Sequence, residues 1–106
     1  MAIELIAVFH PAPGKTDRIV ELLSGVAKIV EAKETGTLRY EIHKQIGAEN
    51  PKVYVTERYT DKAALKQHGK FPEFAEMNKA FANEGLLADN LEIHVMTPAG
   101  GMASRL

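Results

Sequence analysis

The first strand is the strongest constraint on this chain. Residues Ile3 to His10 read Ile-Glu-Leu-Ile-Ala-Val-Phe-His. Ile3, Leu5, Ala7 and Phe9 point to one side, and Ile6 and Val8 to the other, with Glu4 and His10 near the ends. A strand apolar on both faces belongs in the middle of a sheet that is covered on both sides. At 106 residues the chain is one domain with a thin core. Its helices can cover only one face, so the second cover must come from elsewhere.

Pro11-Ala12-Pro13-Gly14 reads as a turn. Ile19, Leu22, Leu23, Val26, Ile29 and Val30 then recur at helical spacing, predicting a helix from Thr16 to Lys33. Thr16 or Asp17 suits its cap, and Gly36 its stop. Thr37 to Ile46 alternates as a strand, with Leu38, Tyr40 and Ile42 on one face and Arg39, Glu41 and His43 on the other. Gly47 to Pro51 is a hairpin loop. In the next strand, Lys52 to Tyr59, the residues Val53, Val55, Glu57 and Tyr59 share a face, opposite Tyr54, Thr56 and Arg58.

Thr60 is the expected cap of a short helix from Asp61 to His68, closed at Gly69. Pro72 suits the first turn of another helix, which runs to about Asn83 and stops at Gly85. Phe74, Met77 and Phe81 share its buried side. Leu91 to Thr97 is the last strand. The domain is expected to span residues 1–98, with 99–106 a flexible tail.

The order β-α-β-β-α-β, with right-handed crossovers, predicts an α+β fold: a ferredoxin-like antiparallel sheet with the helices on one face. The second and last strands become opposite edges. The other face carries Ile6, Val8, Tyr54, Thr56, His94 and Met96, too apolar for water and too polar for a dry core. A homodimer with facing sheets, a dimeric α+β barrel, resolves the conflict. Arg39, Glu41 and Arg58 are placed to form cross-strand ion pairs in that interface.

Composition narrows the function. The net charge is −1, so no basic excess favours nucleic acid. No segment is long and apolar enough to cross a bilayer, and the amino-terminus lacks the layout of a signal peptide. Cysteine is absent, which removes disulfides and thiolate chemistry. The four histidines show no metal-ligand spacing, so no metal is expected.

Chemistry concentrates in Val53 to Phe81. Glu57, Tyr59 and His68 lie close in sequence, followed by Phe71, Phe74 and Phe81. Three stretches together resemble the antibiotic biosynthesis monooxygenase domain, a family of dimeric α+β barrels. They are Pro13-Gly14, Glu34-Thr-Gly-Thr-Leu-Arg-Tyr40, and Glu57-Arg-Tyr-Thr-Asp-Lys-Ala-Ala-Leu-Lys-Gln-His68 with the Phe-Pro-Glu-Phe74 that follows. The resemblance covers Ile3 to Pro98. Haem-degrading relatives carry asparagine, tryptophan and histidine where this chain has Phe9, Tyr59 and Asn78, which argues against haem. Polyketide cyclase relatives carry a histidine near Phe74, which argues against cyclase chemistry. Both comparisons put Phe9, Tyr59, His68 and Phe74 near a pocket between sheet and helices.

The resemblance implies a monooxygenase that needs no cofactor and oxidises a small quinol or anthrone-like aromatic with O2. Such a site must supply a base, a dry aromatic cavity and a donor for the developing oxyanion. His68 is the candidate base, since imidazoles ionise near neutral pH. Tyr59 or Tyr40 would bond the substrate oxygen, Glu57 would orient a partner, and Phe9, Tyr40, Phe71, Phe74, Met77 and Phe81 would line the cavity. A structural role stands beside each. Glu57 suits a buried carboxylate bonded to helix amides or to His68. His68 ends a helix, where an imidazolium is favoured without catalysis. An isomerase or other acid–base enzyme on a small metabolite, and a non-catalytic ligand-binding or stress-related barrel, are the alternative functions. Ser104-Arg105-Leu106 matches the small-basic-leucine signal read by the peroxisomal import receptor. The expected location is the peroxisome in a eukaryote and the cytoplasm otherwise.

Overall fold

The computed structural model describes residues 2–105. In chain order they form β1 (Ile3–Phe9), α1 (Thr16–Lys33), β2 (Thr37–Lys44), β3 (Val53–Tyr59), α2 (Lys62–His68), α3 (Pro72–Glu84) and β4 (Glu92–Met96). The strands make one sheet in the order β2-β3-β1-β4, antiparallel at every pairing. β1 is central, as its two apolar faces require, and β2 and β4 are the edges. Of the terminal Ser104-Arg105-Leu106, Leu106 lies outside the described residues. Among the described residues, no helix is long and apolar enough to cross a membrane.

The helices pack on the face that carries Leu5, Ala7 and Phe9 from β1 and Val53, Val55 and Tyr59 from β3. α1 contributes Ile19 and Leu23, both fully buried. Burying a side chain of this kind stabilises by roughly 1.5–3 kcal/mol, so this seam anchors the fold. Below it, the turn after β1 is tied to the segment after α3. Ala12 N–H donates to Leu86 O at 2.7 Å and Ala88 N–H to His10 O at 2.8 Å. α3 ends as its sequence requires: Gly85 adopts the left-handed conformation (φ 58°), which glycine reaches without a Cβ penalty.

Several local expectations are corrected. Thr16 does not cap α1. Lys15 holds the cap position without a side-chain bond, and the Thr16 hydroxyl donates instead to Pro51 O at 2.9 Å. The cap of α2 is Asp61, which accepts from Ala64 N–H at 2.9 Å, not Thr60. Gly36 does not stop α1, whose C-cap is Glu34. Gly36 is required by close packing: a Cβ there would stand 2.7 Å from Ala64 Cβ. Leu38 does not share a buried face with Tyr40 and Ile42. The β2–β3 register shifts between Thr37 and Arg39, and Leu38, inside that irregularity, is 57% exposed.

The outer face of the sheet is half-covered by its own side chains. Val8 is buried, and Ile6, Tyr54 and Thr56 are intermediate. Arg39 and Arg58, direct neighbours across β2 and β3, both approach Glu4, at 3.6 and 3.3 Å. One carboxylate thus offsets the repulsion between two adjacent guanidiniums within a single chain. Glu41 is not part of that group; it pairs with His43 at 3.0 Å. β4 is open on both faces. Ile93 and Val95 lie across from Ala7 and Leu5 on the helix side, yet are 55% and 57% exposed.

Candidate active site

Four elements converge at one corner: the end of α1, the start of β2, the end of β3, and α2. Period-two alternation on β3 turns Glu57 and Tyr59 inward. The Asp61 cap fixes where α2 begins, and two turns later places His68 as its last residue. The Gly69–Phe71 break and Pro72 at the first turn of α3 bring Phe74 back over the imidazole.

His68 lies between two carboxylates. Its Nδ1 is 2.9 Å from Glu34 Oε1, and its Nε2 is 3.5 Å from Glu57 Oε1. A carboxylate oxygen accepts, so Nδ1 carries the hydrogen that faces Glu34. Tyr59 O–H donates to Glu57 Oε1, and Thr37 O–H donates to Glu34 Oε1 at 2.8 Å. The result is a chain of polar groups, Tyr59–Glu57–His68–Glu34–Thr37. Three rings enclose it: Phe74, Tyr59 and Tyr40 have centroids 4.3, 5.3 and 5.5 Å from that of His68. The His68 side chain is 14% exposed and that of Glu34 only 4%.

This low-dielectric setting shifts the neighbouring groups. Burial raises the Glu57 carboxyl above the usual carboxylate range, opposed by the Tyr59 hydrogen bond and the His68 charge. Burial, then the Glu57 charge, pushes the Tyr59 phenol far above its ordinary value. The Tyr40 phenol moves the same way, through burial and then Glu57 and Glu34. Both tyrosines therefore stay protonated at any working pH; the Tyr59 O–H is spent on Glu57, which leaves the Tyr40 O–H as the donor that a developing oxyanion would require.

Glu57, Tyr59, His68, Tyr40 and Phe74 thus meet at one place. Phe9 and Phe81 do not join them. Ile3 pairs with Tyr59 and Phe9 with Val53, at opposite ends of β1, so Phe9 lies about 20 Å along the strand from Tyr59. The Phe9 and Phe81 rings, 5.7 Å apart, border a separate apolar cavity of about 430 Å³ with Asn78, Leu87 and Leu91. Phe71 lines a third region, a cavity of about 240 Å³ beside Glu34, together with Lys33, Thr37, Ala64 and Gln67. Met77 packs against the core.

Glu34, with its partner Thr37, is the member of the cluster that sequence reasoning missed. It carried one signal. It stands at the carboxyl end of an 18-residue helix, where the dipole disfavours an anion. A carboxylate in that position needs compensating donors, and Thr37 and His68 supply them.

A helix-backed antiparallel sheet with a histidine set between carboxylates and aromatic rings defines a ferredoxin-like α+β protein with a candidate acid–base site. More narrowly, the chain belongs to the antibiotic biosynthesis monooxygenase family, whose model matches residues 2–80. Solved structures agree. A Caulobacter crescentus protein assigned provisionally to antibiotic biosynthesis monooxygenases is 24% identical, with a TM-score of 0.83 over 93% of this chain and 91% of that one. PA3566 from Pseudomonas aeruginosa is 26% identical, with a TM-score of 0.80 over 93% and 95%. Rv0793 from Mycobacterium tuberculosis is 21% identical, with a TM-score of 0.81 over 97% and 100%. No curated protein sequence matches the chain.

Proposed function

We propose that this protein is a monooxygenase that oxidises a small electron-rich aromatic, a quinol or anthrone-like compound, with O2 and without a cofactor. The observation that carries the reading is His68, held between Glu34 and Glu57 and enclosed by Tyr40, Tyr59 and Phe74. The acid–base unit takes the phenolic proton. The resulting anion passes one electron to O2, and the two radicals combine to a peroxide. Loss of water leaves one oxygen atom as a new carbonyl and the other in the water, with the phenolic proton returned by the base and the one hydrogen of the oxidised carbon. The Tyr40 O–H stabilises the oxyanion while the Tyr59 O–H stays on Glu57, and the rings keep water from the intermediate.

The test is O2 uptake with a panel of quinols and anthrones. His68→Ala is expected to reduce it by about a hundredfold or more, the usual contribution of a general base. Uptake equal in the two proteins would sink the proposal. The in-line order Glu34–His68–Glu57 also favours a second reading, acid–base isomerisation of a small polar metabolite. That activity would proceed under argon, where the monooxygenase stops.

The protein works as a homodimer through the outer sheet face. Support comes from the half-covered residues Ile6, Tyr54 and Thr56 and from Met96 of β4, which shares the outer face and stays exposed in the single chain. Sedimentation equilibrium at micromolar concentration is expected to give twice the chain mass, and Tyr54→Lys to shift it toward the monomer. A wild-type monomer at that concentration rules this assembly out.

A further inference from the structure

We propose that Glu34 is the positioning residue of the site: it holds the ring hydrogen of His68 on Nδ1, so that Nε2 is the nitrogen that takes the substrate proton. The proposal rests on the monooxygenase reading and adds which atom is the base and what sets it. The two ring nitrogens are engaged unequally. Nδ1 stands 2.9 Å from Glu34 Oε1, on a side chain that is only 4% exposed. Nε2 stands 3.5 Å from Glu57 Oε1, an oxygen that already accepts from Tyr59 O–H. A separation of that length is beyond a normal hydrogen bond. The nitrogen that meets the better acceptor keeps the hydrogen, and the lone pair falls to the other. The His68 side chain retains 14% of its surface, and with Nδ1 turned to a buried carboxylate, Nε2 is the nitrogen left for a ligand.

Glu34 is itself held in place. Thr37 O–H donates to the same Oε1 at 2.8 Å, and Thr37 N–H donates to Glu34 O at 3.2 Å, so the α1–β2 turn pins the carboxylate. Its Oε2 is buried and has no hydrogen-bond partner among the described residues. A buried carboxylate compensated only by neutral donors is costly, and an imidazolium beside it relieves that cost. Glu34 thus favours the charged ring that the reaction forms over the neutral ring that begins it. In that step the phenolic O–H breaks, its electron pair stays on the substrate oxygen, and the proton bonds to Nε2 while Nδ1–H remains on Glu34. A base oriented by a third group is the general arrangement of an activated site.

The experiment is nuclear magnetic resonance of the full chain with isotope-labelled histidine, at about pH 8. It reads which His68 nitrogens carry a hydrogen, and His68→Ala assigns the signals. The wild-type ring is expected to carry a hydrogen on Nδ1 and none on Nε2. Glu34→Leu removes the acceptor. It should move hydrogen onto Nε2 and lower kcat for O2 uptake about a hundredfold, with KM changed less than about threefold. Glu34→Gln keeps an acceptor and loses the charge. It should keep the hydrogen on Nδ1 and lower kcat about tenfold, the usual gap between charged and neutral hydrogen bonds. A wild-type ring with hydrogen on Nε2, or on both nitrogens, overturns the proposal. So does a Glu34→Leu protein that keeps the wild-type tautomer or the wild-type kcat. The wild-type spectrum does not depend on the variants folding. Hydrogen on Nδ1 alone without O2 uptake supports the assignment and sinks the monooxygenase reading; uptake with hydrogen on Nε2 sinks only the role given to Glu34.

Discussion

Gly36→Ala tests the packing that positions the site. The Gly36 turn carries no backbone strain that would demand glycine; its requirement is the approach of α2. An added Cβ would meet Ala64 Cβ at 2.7 Å and Thr60 Oγ1 at 3.4 Å. Against an ordinary contact of 3.4 Å or more, the shortfall is about 0.7 Å, and neither methyl can rotate away. Either α2 or the α1–β2 turn must move. The turn is held by Thr60 N–H donating to Gly36 O at 3.0 Å and by Thr37 N–H donating to Glu34 O at 3.2 Å. Overpacking of this kind costs about 1–3 kcal/mol, or roughly 4–8 °C in Tm per kcal/mol for a domain near this size. Urea denaturation followed by circular dichroism, at one fixed protein concentration, measures it. The control is Ala64→Gly, which removes the opposing methyl at a cost of about 1 kcal/mol in helix propensity. In the double variant the two costs should fall short of additivity by about 1 kcal/mol or more. Because α2 ends at His68, the single variant should also lose O2 uptake and the double variant regain part of it. A Gly36→Ala cost below about 0.5 kcal/mol, or strictly additive costs, would refute the close-packing account.

Glu57→Gln should change how stability depends on pH. Burial raises the Glu57 carboxyl in the folded state, so its contribution is present below the unfolded value of about 4.3 and is lost as pH rises through the folded one. The variant should therefore gain on wild type between pH 4 and 7 in urea titrations; a constant difference would show that Glu57 titrates alike in both states. The Arg18–Glu84 pair, with contacts of 2.8 and 2.9 Å, links α1 to α3, and Arg18 holds the Glu84 carboxyl below the usual range. That contribution is present above the unfolded carboxylate value and lost on acidification, so Glu84→Gln should lower Tm slightly at pH 7 and not at pH 2, with the difference shrinking in 1 M salt.

The backbone plan was legible because each element carries its own periodic signal. β1, α1, β3 and α3 were found from apolar spacing alone, and the central place of β1 from its two apolar faces. Edges were harder. β4 has the alternation of a half-buried strand, yet Ile93 and Val95 are exposed because the helices do not reach it. The site was half legible. Glu57, Tyr59 and His68 are close in sequence, and β3 and α2 bring them together. Glu34 is 34 residues from His68, a contact that no local pattern encodes. Phe9 and Phe81 match the aromatic character of a site wall, but the β1–β3 register puts them at its other end.

The local misreadings, the Thr16 cap aside, are not scattered. Gly36 as a helix stop, Thr60 as a cap, Leu38 on a buried face and the omission of Glu34 all fall within one corner, where α1 hands over to β2 and β3 to α2. The irregularity after Thr37 is part of that corner's design. It lets Thr37 pair with Tyr59 while Arg39 realigns with Arg58, so the Thr37 hydroxyl reaches Glu34 and Tyr40 still faces Glu57. Gly36 gives up a side chain so that α2 can close on the turn, and Asp61 takes the cap from Thr60, whose N–H is bound to Gly36 O. Of these departures, the one after Thr37 reaches the cluster directly, through the Thr37 hydroxyl on Glu34, and those at Gly36 and Asp61 set the position of the helix that ends at His68. Local preference yields where a buried polar cluster must be assembled. At the opposite end of the sheet, beside Phe9, Gly85 stops α3 as its sequence requires, where no polar chain is being built.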